Sequence, residues 1–375
     1  MKKRLAALAL LGTAVTLPGM VSAATYPTLK PGTYKPMFVV LPQRPANYPH
    51  GSAASLAQWN GTYKDLKGNT VNFTQIGGNP ATTNTTSTMK IMIIPIKMIY
   101  GSTNGNMTFD PVKVKLANNK NRSVVKAVLD SPLFKADNDF APQGTSCTPN
   151  CVDLGKTQYE DAFQRGTWWG NAVGTNTSYH VLYAPTVLKE QSITVTAGEG
   201  NVENNPFGTG KVGLMNINNF DSALQTFMST LKITPDTLPL FVTYDIYLTS
   251  GGCCIGGYHS ANGGQPNGQT YSYATYVDSV GAFSQDVSAL THELGEWMDD
   301  PFADNFVNCQ DNGLMEVGDP LERLANYGAF PYKSKGFTYN LQSLVYMPYF
   351  GAPVTDAANK WYALQDDMSH VCPGQ

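Results

Sequence analysis

The chain has 375 residues, of which 14% are charged, and its formal net charge at pH 7 is −3. A weakly acidic chain without internal basic runs is a poor candidate for binding nucleic acid or anionic membranes. The length suffices for one large domain or two smaller ones.

The N-terminus has the three parts of a secretory signal peptide. Residues 2–4 are basic, residues 5–17 are mostly apolar, and residues 21–23 supply the small side chains that a signal peptidase requires. The apolar stretch is too short for a stable membrane anchor. We therefore predict a signal peptide over residues 1–23 and a secreted or periplasmic protein that begins near Ala24, without a membrane anchor.

The next segment, residues 24–87, is rich in Pro, Asn and Thr and shows little periodicity. Within it, residues 68–87 have the Asn/Thr/Gly composition of turns. Residues 88–375 are predicted to form the main domain. That domain opens with residues 89–100, an apolar and β-branched run that predicts a buried strand.

Further elements follow in chain order. Helices are predicted over 123–133, 158–169 and 219–231, and strands over 178–198 (as a hairpin), 238–248 and 271–279. A glycine-rich loop is predicted at 251–260, before the last of these strands. Together the elements predict an α+β fold, with a mixed twisted sheet and one helix across it.

All six cysteines lie in the exported part of the chain, where disulfides persist. Cys147 and Cys151 could close a small loop. The adjacent pair at 253–254 either forms a vicinal bridge or pairs elsewhere. We predict at least two disulfides, one of which ties Cys372 to an earlier cysteine, with Cys309 as the first choice.

The most informative segment is a predicted helix over residues 284–300. Ser284 could cap it, Asp286 suits the positive end of the helix dipole, and Pro301 follows its end. His292 and Glu296 lie one turn apart on the face opposite the apolar residues, and Asp299 continues the same row.

This spacing suits a metal site. A pair of donors at i and i+4 can bind one divalent ion, and a carboxylate is an accepted zinc ligand beside a histidine. Glu293, next to His292, would stand beside the open position of the metal. It could there act as general base on a metal-bound water.

The sequence THELGE around His292 resembles the HExxH helix of zincin metallopeptidases, with Glu296 in place of the second histidine. The succession HExxE, DP and ExGD also resembles a group of secreted bacterial proteins. More distantly it is similar to plant phosphate-induced/EXORDIUM proteins, whose glycine-rich segment resembles residues 251–259. The resemblance covers about residues 240–372. It implies a zincin-like helix and a downstream acidic ligand, Glu316 or Asp319.

The predicted function is a secreted zinc-dependent hydrolase, foremost a metallopeptidase that acts on a peptide or another extracellular polymer. Zinc would be held by His292, Glu296 and either Glu316 or Asp319. His259, in the predicted glycine-rich loop, is a further candidate for a metal or substrate contact. The alternative is a non-catalytic extracellular or cell-wall glycan-binding protein that kept the same fold and lost or repurposed the metal. An alternative interpretation of His292, Glu293 and Glu296 themselves is the solvent-exposed face of an amphipathic helix.

Overall fold

The computed structural model describes residues 34–45, 55–140, 151–309 and 312–375. The predicted signal peptide lies outside these residues, as does Cys147. The described part combines helices with a mixed sheet, which confirms the predicted α+β class. In this part of the chain no helix is long and apolar enough to cross a membrane.

The strands are numbered in chain order. They are β1 (Tyr34–Val40), β2 (Gln58–Lys64), β3 (Thr70–Ile76), β4 (Thr86–Tyr100), β5 (Met107–Phe109), β6 (Asn138–Asp139), β7 (Lys156–Thr157), β8 (His180–Val187), β9 (Gln191–Val195), β10 (Gly200–Asn204), β11 (Lys211–Asn216), β12 (Thr237–Tyr244), β13 (Ile246–Thr249), β14 (Cys253–Asn262), β15 (Gln269–Tyr276), β16 (Ala329–Ser334) and β17 (Phe337–Gln342).

Eleven of the described strands form one large sheet in the order β10-β11-β13-β14-β15-β12-β4-β5, to which β1, β8 and β9 are added. Strand β4 is its longest member and pairs in parallel with β12, β8 and β9. Strand β14 runs antiparallel to β13 and β15, and β1 pairs with it in parallel. Three two-stranded sheets, β2-β3, β6-β7 and β16-β17, surround the large one.

Four α-helices are described, with several short turns of other helix types. They are α1 (Val124–Leu129), α2 (Tyr159–Thr167), α3 (Ile217–Leu231) and α4 (Ser288–Asp299). The short turns are 3-10 helices at Ala117–Asn119, Asp319–Leu321, Ala325–Gly328, Met347–Phe350, Val354–Asp356 and Ala358–Lys360, and a π-helical turn at Trp169–Val173.

Helix α4 is the element that matters for the site, and it is buried along its whole length. It packs across β14 and β15 of the large sheet and also touches α2. The indole nitrogen of Trp297 donates to Thr270 Oγ1 at 3.0 Å, and the hydroxyl of Tyr183 donates to the Leu294 carbonyl at 3.1 Å. These contacts hold the helix in one position against the sheet.

Several predicted elements differ from the structure. Residues 180–195 are not a hairpin, because β8 and β9 both pair in parallel with β4. The strand predicted over 238–248 breaks at Asp245, where φ is 50°. Residues 70–76, predicted as turns, form β3 and pair with β2. The predicted glycine-rich loop at 251–260 is largely β14, a buried strand inside the large sheet.

Two disulfides are present in the described chain. Cys309 bonds to Cys372, which confirms the first choice made from the sequence. Cys253 bonds to its neighbour Cys254, so the vicinal alternative is the observed one. The predicted Cys147–Cys151 loop includes Cys147 and therefore falls outside the described residues.

Loss of the Cys309–Cys372 bridge should clearly destabilise the fold. The bond joins cysteines 63 positions apart, and the entropy of an unfolded loop of this size corresponds to about 4 kcal/mol. We expect the double variant Cys309→Ala, Cys372→Ala to melt several degrees below the parent protein by circular dichroism. Equal melting temperatures of the two oxidised proteins would contradict this stabilising role.

Candidate metal centre

Three parts of the chain meet at one buried group of histidines and carboxylates. Helix α4 supplies His292, Glu293 and Glu296, and strand β14 supplies His259. The segment that follows the helix returns to it and adds two acidic side chains, Glu316 and Asp319. All six residues singled out from the sequence are therefore close together.

Glu296 lies between the two histidines. Its Oε1 is 2.8 Å from His292 Nε2, and its Oε2 is 3.7 Å from His259 Nδ1. Each carboxylate oxygen thus faces a different imidazole ring. The helical spacing alone predicted only the first of these contacts, because His259 lies 33 residues before His292 in the chain.

The remaining contacts have similar lengths. Nδ1 of His259 is 3.5 Å from Glu293 Oε2, and its Nε2 is 3.8 Å from Glu316 Oε2. Nε2 of His292 is 3.5 Å from Asp319 Oδ1. Ligands at about 2.0–2.1 Å from a tetrahedral zinc lie roughly 3.3 Å from one another. Groups of three of these side chains could therefore hold a metal ion.

The ring of His259 is oriented by the backbone. Its Nε2 lies 3.1 Å from the Asp300 carbonyl oxygen, an acceptor, so Nε2 carries the proton and donates it. The lone pair of the neutral ring is then on Nδ1, which points toward Glu293 and Glu296. A histidine whose second nitrogen donates to a carbonyl is the usual arrangement of a metal ligand.

Burial controls the protonation of the site. It raises the pKa of Glu293, Glu296 and Glu316 well above the usual range, and the neighbouring carboxylates raise each of them further. Burial also lowers the pKa of His259 to about 3, so this ring is neutral at pH 7. A bound divalent cation would stabilise the ionised carboxylates and so lower their pKa values. Its binding would therefore release protons.

Several polar groups of the site lack hydrogen-bond partners among the described residues, including those of Glu293 and His259. Neither oxygen of Glu293 accepts a hydrogen bond there, and Nδ1 of His259 also has no partner. Glu293 and His259 are both 0% exposed, so water does not compensate them at the surface. Buried polar atoms without partners are costly, and a bound cation with its water would satisfy both residues.

Strand β1 covers the site. Phe38 stacks on the ring of His292 with centroids 3.9 Å apart, and its backbone N–H donates to Glu322 Oε1 at 2.6 Å. Both histidines are fully buried. Of the four acidic side chains singled out from the sequence, Asp319 is the most exposed, at 18%.

Two glycines allow the backbone to approach the site residues closely. A Cβ at Gly318 would lie 2.3 Å from His292 Nδ1, and a Cβ at Gly257 would lie 2.6 Å from Glu293 Oε1. Any larger side chain would displace one of these two groups. The glycine of the ExGD motif and a glycine of the segment before His259 therefore have a steric role in the site.

The helix itself differs from its prediction in two ways. It begins at Ser288, so Ser284 and Asp286 do not belong to its first turn, and both have a positive φ. Its acidic face is buried, which contradicts the solvent-exposed face of the alternative interpretation. Asp299 continues the row along the helix but accepts a hydrogen bond from Gln75 Nε2 at 2.6 Å, outside the metal-binding groups.

Sequence analysis missed Glu322. This residue joins His292 and Asp319 in one of the groups that could hold a metal ion. Its position three residues after Asp319 was the available signal, because both residues belong to the same short turn. Without the tertiary structure, nothing connected that turn to His292.

Comparison with known proteins adds no relative to this description. No protein-family model, no curated protein and no solved structure matches the chain. The resemblance to zincins and to EXORDIUM proteins thus depends on the motif residues alone. What the structure does provide is a buried group of His and Glu side chains that could hold a metal ion.

Proposed function

We propose that the protein is a secreted zinc-dependent hydrolase, foremost a peptidase. The observation that carries this proposal is the convergence of two buried imidazole rings and several buried carboxylates on Glu296. Nitrogen and oxygen donors in this mixture suit zinc better than calcium or magnesium, which prefer oxygen ligands alone.

The residues have separate roles in this proposal. His292 and Glu296 hold the metal together with Asp319, and His259 and Glu316 extend the donor set. Zinc, when bound, supplies Lewis-acid activation of water and of the scissile carbonyl. Glu293 would accept the proton of the attacking water on its carboxylate, because it is next to His292 in the chain and neither of its oxygens has a hydrogen-bond partner among the described residues.

A direct test starts from exported protein that is purified without added metal. Elemental analysis is expected to find at least one zinc per chain. A peptide library should be cleaved, and a chelator should stop the cleavage. Protein without any metal, or metal-loaded protein that leaves the library intact, would refute the peptidase proposal.

A second candidate function is supported by a groove elsewhere on the surface. A cavity of about 640 Å³ lies between the β2–β3 hairpin and residues 304–306, lined largely by Asn, Thr and Gln side chains. Phe306 at its edge is 72% exposed. Amide and hydroxyl groups beside an exposed aromatic ring suit a neutral glycan, so a non-catalytic glycan-binding protein is the alternative. Its binding of cell-wall glycan would persist after chelation, whereas peptide cleavage would not.

The position of Phe38 gives a prediction about access to the metal. Because its ring covers His292, the metal should exchange slowly in the parent protein. An aromatic contact of this kind contributes about 0.5–1.5 kcal/mol, so Phe38→Ala should speed zinc transfer to a chromogenic chelator by roughly twofold to tenfold. Phe337→Ala removes an aromatic contact with Tyr339, outside the metal-binding groups, and serves as control. Equal transfer rates in all three proteins would contradict the covering role of β1.

A further inference from the structure

We infer that the buried cluster is built for two divalent cations that share the carboxylate of Glu296, because its two oxygens face two different histidines. The inference rests on the proposed metal-dependent function and deepens it. It also assigns a ligand role to Glu322, which the HExxE pattern does not include.

Three groups of donors could each hold an ion: two of them share no residue, and the third, of His292, Glu293 and Glu296, overlaps both. The two groups without a common residue are the basis of the inference. In one, His292, Asp319 and Glu322 each offer an atom within 4.8 Å of the others. In the other, His259, Glu296 and Glu316 do the same. The sets have no residue in common, so each could hold its own ion.

Glu296 connects the two sets. Its Oε1 contacts His292 Nε2 at 2.8 Å, while its Oε2 lies 3.7 Å from His259 Nδ1. A carboxylate in this orientation can bridge two metal ions that are roughly 3.5–4 Å apart, as in two-metal hydrolases. If only one ion were bound, either His292 or His259 would face the Glu296 carboxylate without a metal ion between them.

The charge of the cluster also favours two ions. Five mutually interacting carboxylates meet here, from Glu293, Glu296, Glu316, Asp319 and Glu322. Carboxylates that bind a metal are deprotonated, so these five would carry more negative charge than one divalent cation offsets. Uncompensated charge in a buried site is strongly unfavourable.

The surroundings of His292 independently indicate that an ion binds in the set of His292, Asp319 and Glu322. His292 is fully buried, and its Nε2 has no hydrogen-bond partner among the residues described. The same atom points toward Glu296 and also toward Asp319, at 3.5 Å. Glu322 is held in place because the N–H of Phe38 donates to its Oε1. Glu322 offers a carboxylate oxygen to the group with His292 and Asp319.

The test is the metal stoichiometry of the full-length exported protein. Metal-free protein is dialysed against Zn²⁺ or Mn²⁺ and then freed of excess metal. The parent should bind about two ions per chain by elemental analysis. The Mn²⁺ form should show the spin-coupled signal of a metal pair by electron paramagnetic resonance. Glu322→Gln should bind about one ion and lose the coupling.

The control is Glu190→Gln, since Glu190 is a partly buried glutamate that pairs with Lys97 outside the cluster. It should keep two ions and the coupled signal. One ion per chain in the parent protein, or two ions without spin coupling, would overturn the two-ion inference and leave the hydrolase proposal intact. No ion at all would refute both. If Glu322→Gln fails to fold, the parent stoichiometry and the coupled signal still decide the question.

Discussion

Glu293→Gln is expected to lower kcat by about 10²- to 10⁴-fold, the usual contribution of a general base. The amide keeps the size of the carboxylate but cannot accept a proton from water. Glu293 is not needed for either three-residue set of the two-ion inference, so the variant should retain its metal. Cleavage assays and elemental analysis on the same preparation measure both quantities.

A matched control for this variant is Glu160→Gln. Glu160 on α2 is equally buried, and neither of its oxygens has a hydrogen-bond partner in the described chain. It lies near Asp299 and outside the metal-binding groups. Similar activity losses in the two variants would assign the effect to the removal of a buried carboxylate. Loss of metal in Glu293→Gln would instead make Glu293 a ligand.

Glu296→Ala is expected to abolish metal binding and activity together. Among the described residues Glu296 is the carboxylate that contacts both histidines, and as the proposed bridge between the two ions its loss would remove a donor from each of them. The metal-free protein should also melt at a lower temperature, because a ligand that binds only the folded state stabilises it. Elemental analysis and thermal melts with and without zinc measure these effects.

His292→Ala removes a donor of the group with Asp319 and Glu322 and should lower the metal content, and His180→Gln supplies its control. His180 also pairs with a buried carboxylate, since its Nδ1 is 2.7 Å from Asp161 Oδ2, but it lies outside the metal-binding groups. We expect His180→Gln to keep the parent metal content. Full metal content in both Glu296→Ala and His292→Ala would show that the metal-site interpretation is wrong.

Apolar patterns in the sequence correctly predicted two of the main elements. The run at 89–100 lies within β4, and the helical spacing at 219–231 lies within α3, because apolar periodicity reflects burial directly. The glycine-rich segment at 251–260 was predicted to be a loop, and this prediction was wrong. Its glycines occur in a buried strand, and one of them, Gly257, is needed because Glu293 packs against it.

Local sequence signals did not predict which strands pair with one another. Residues 180–195 contain two strands, but their partner is β4, about ninety positions earlier in the chain. Pairing between distant strands depends on the packing of the whole sheet, and local composition does not encode it. The same holds for β1, whose pairing with β14 brings Phe38 over His292.

By itself, the sequence determined the donor residues on α4, since a spacing of four along a helix brings His292 and Glu296 together whatever the rest of the fold. It also determined the choice of Cys309 as the partner of Cys372. Only the tertiary structure decided that His259 and Glu316 join the same cluster and that β1 closes it. These side chains come from separate strands and turns, and only long-range packing brings them within ligand distance of Glu296.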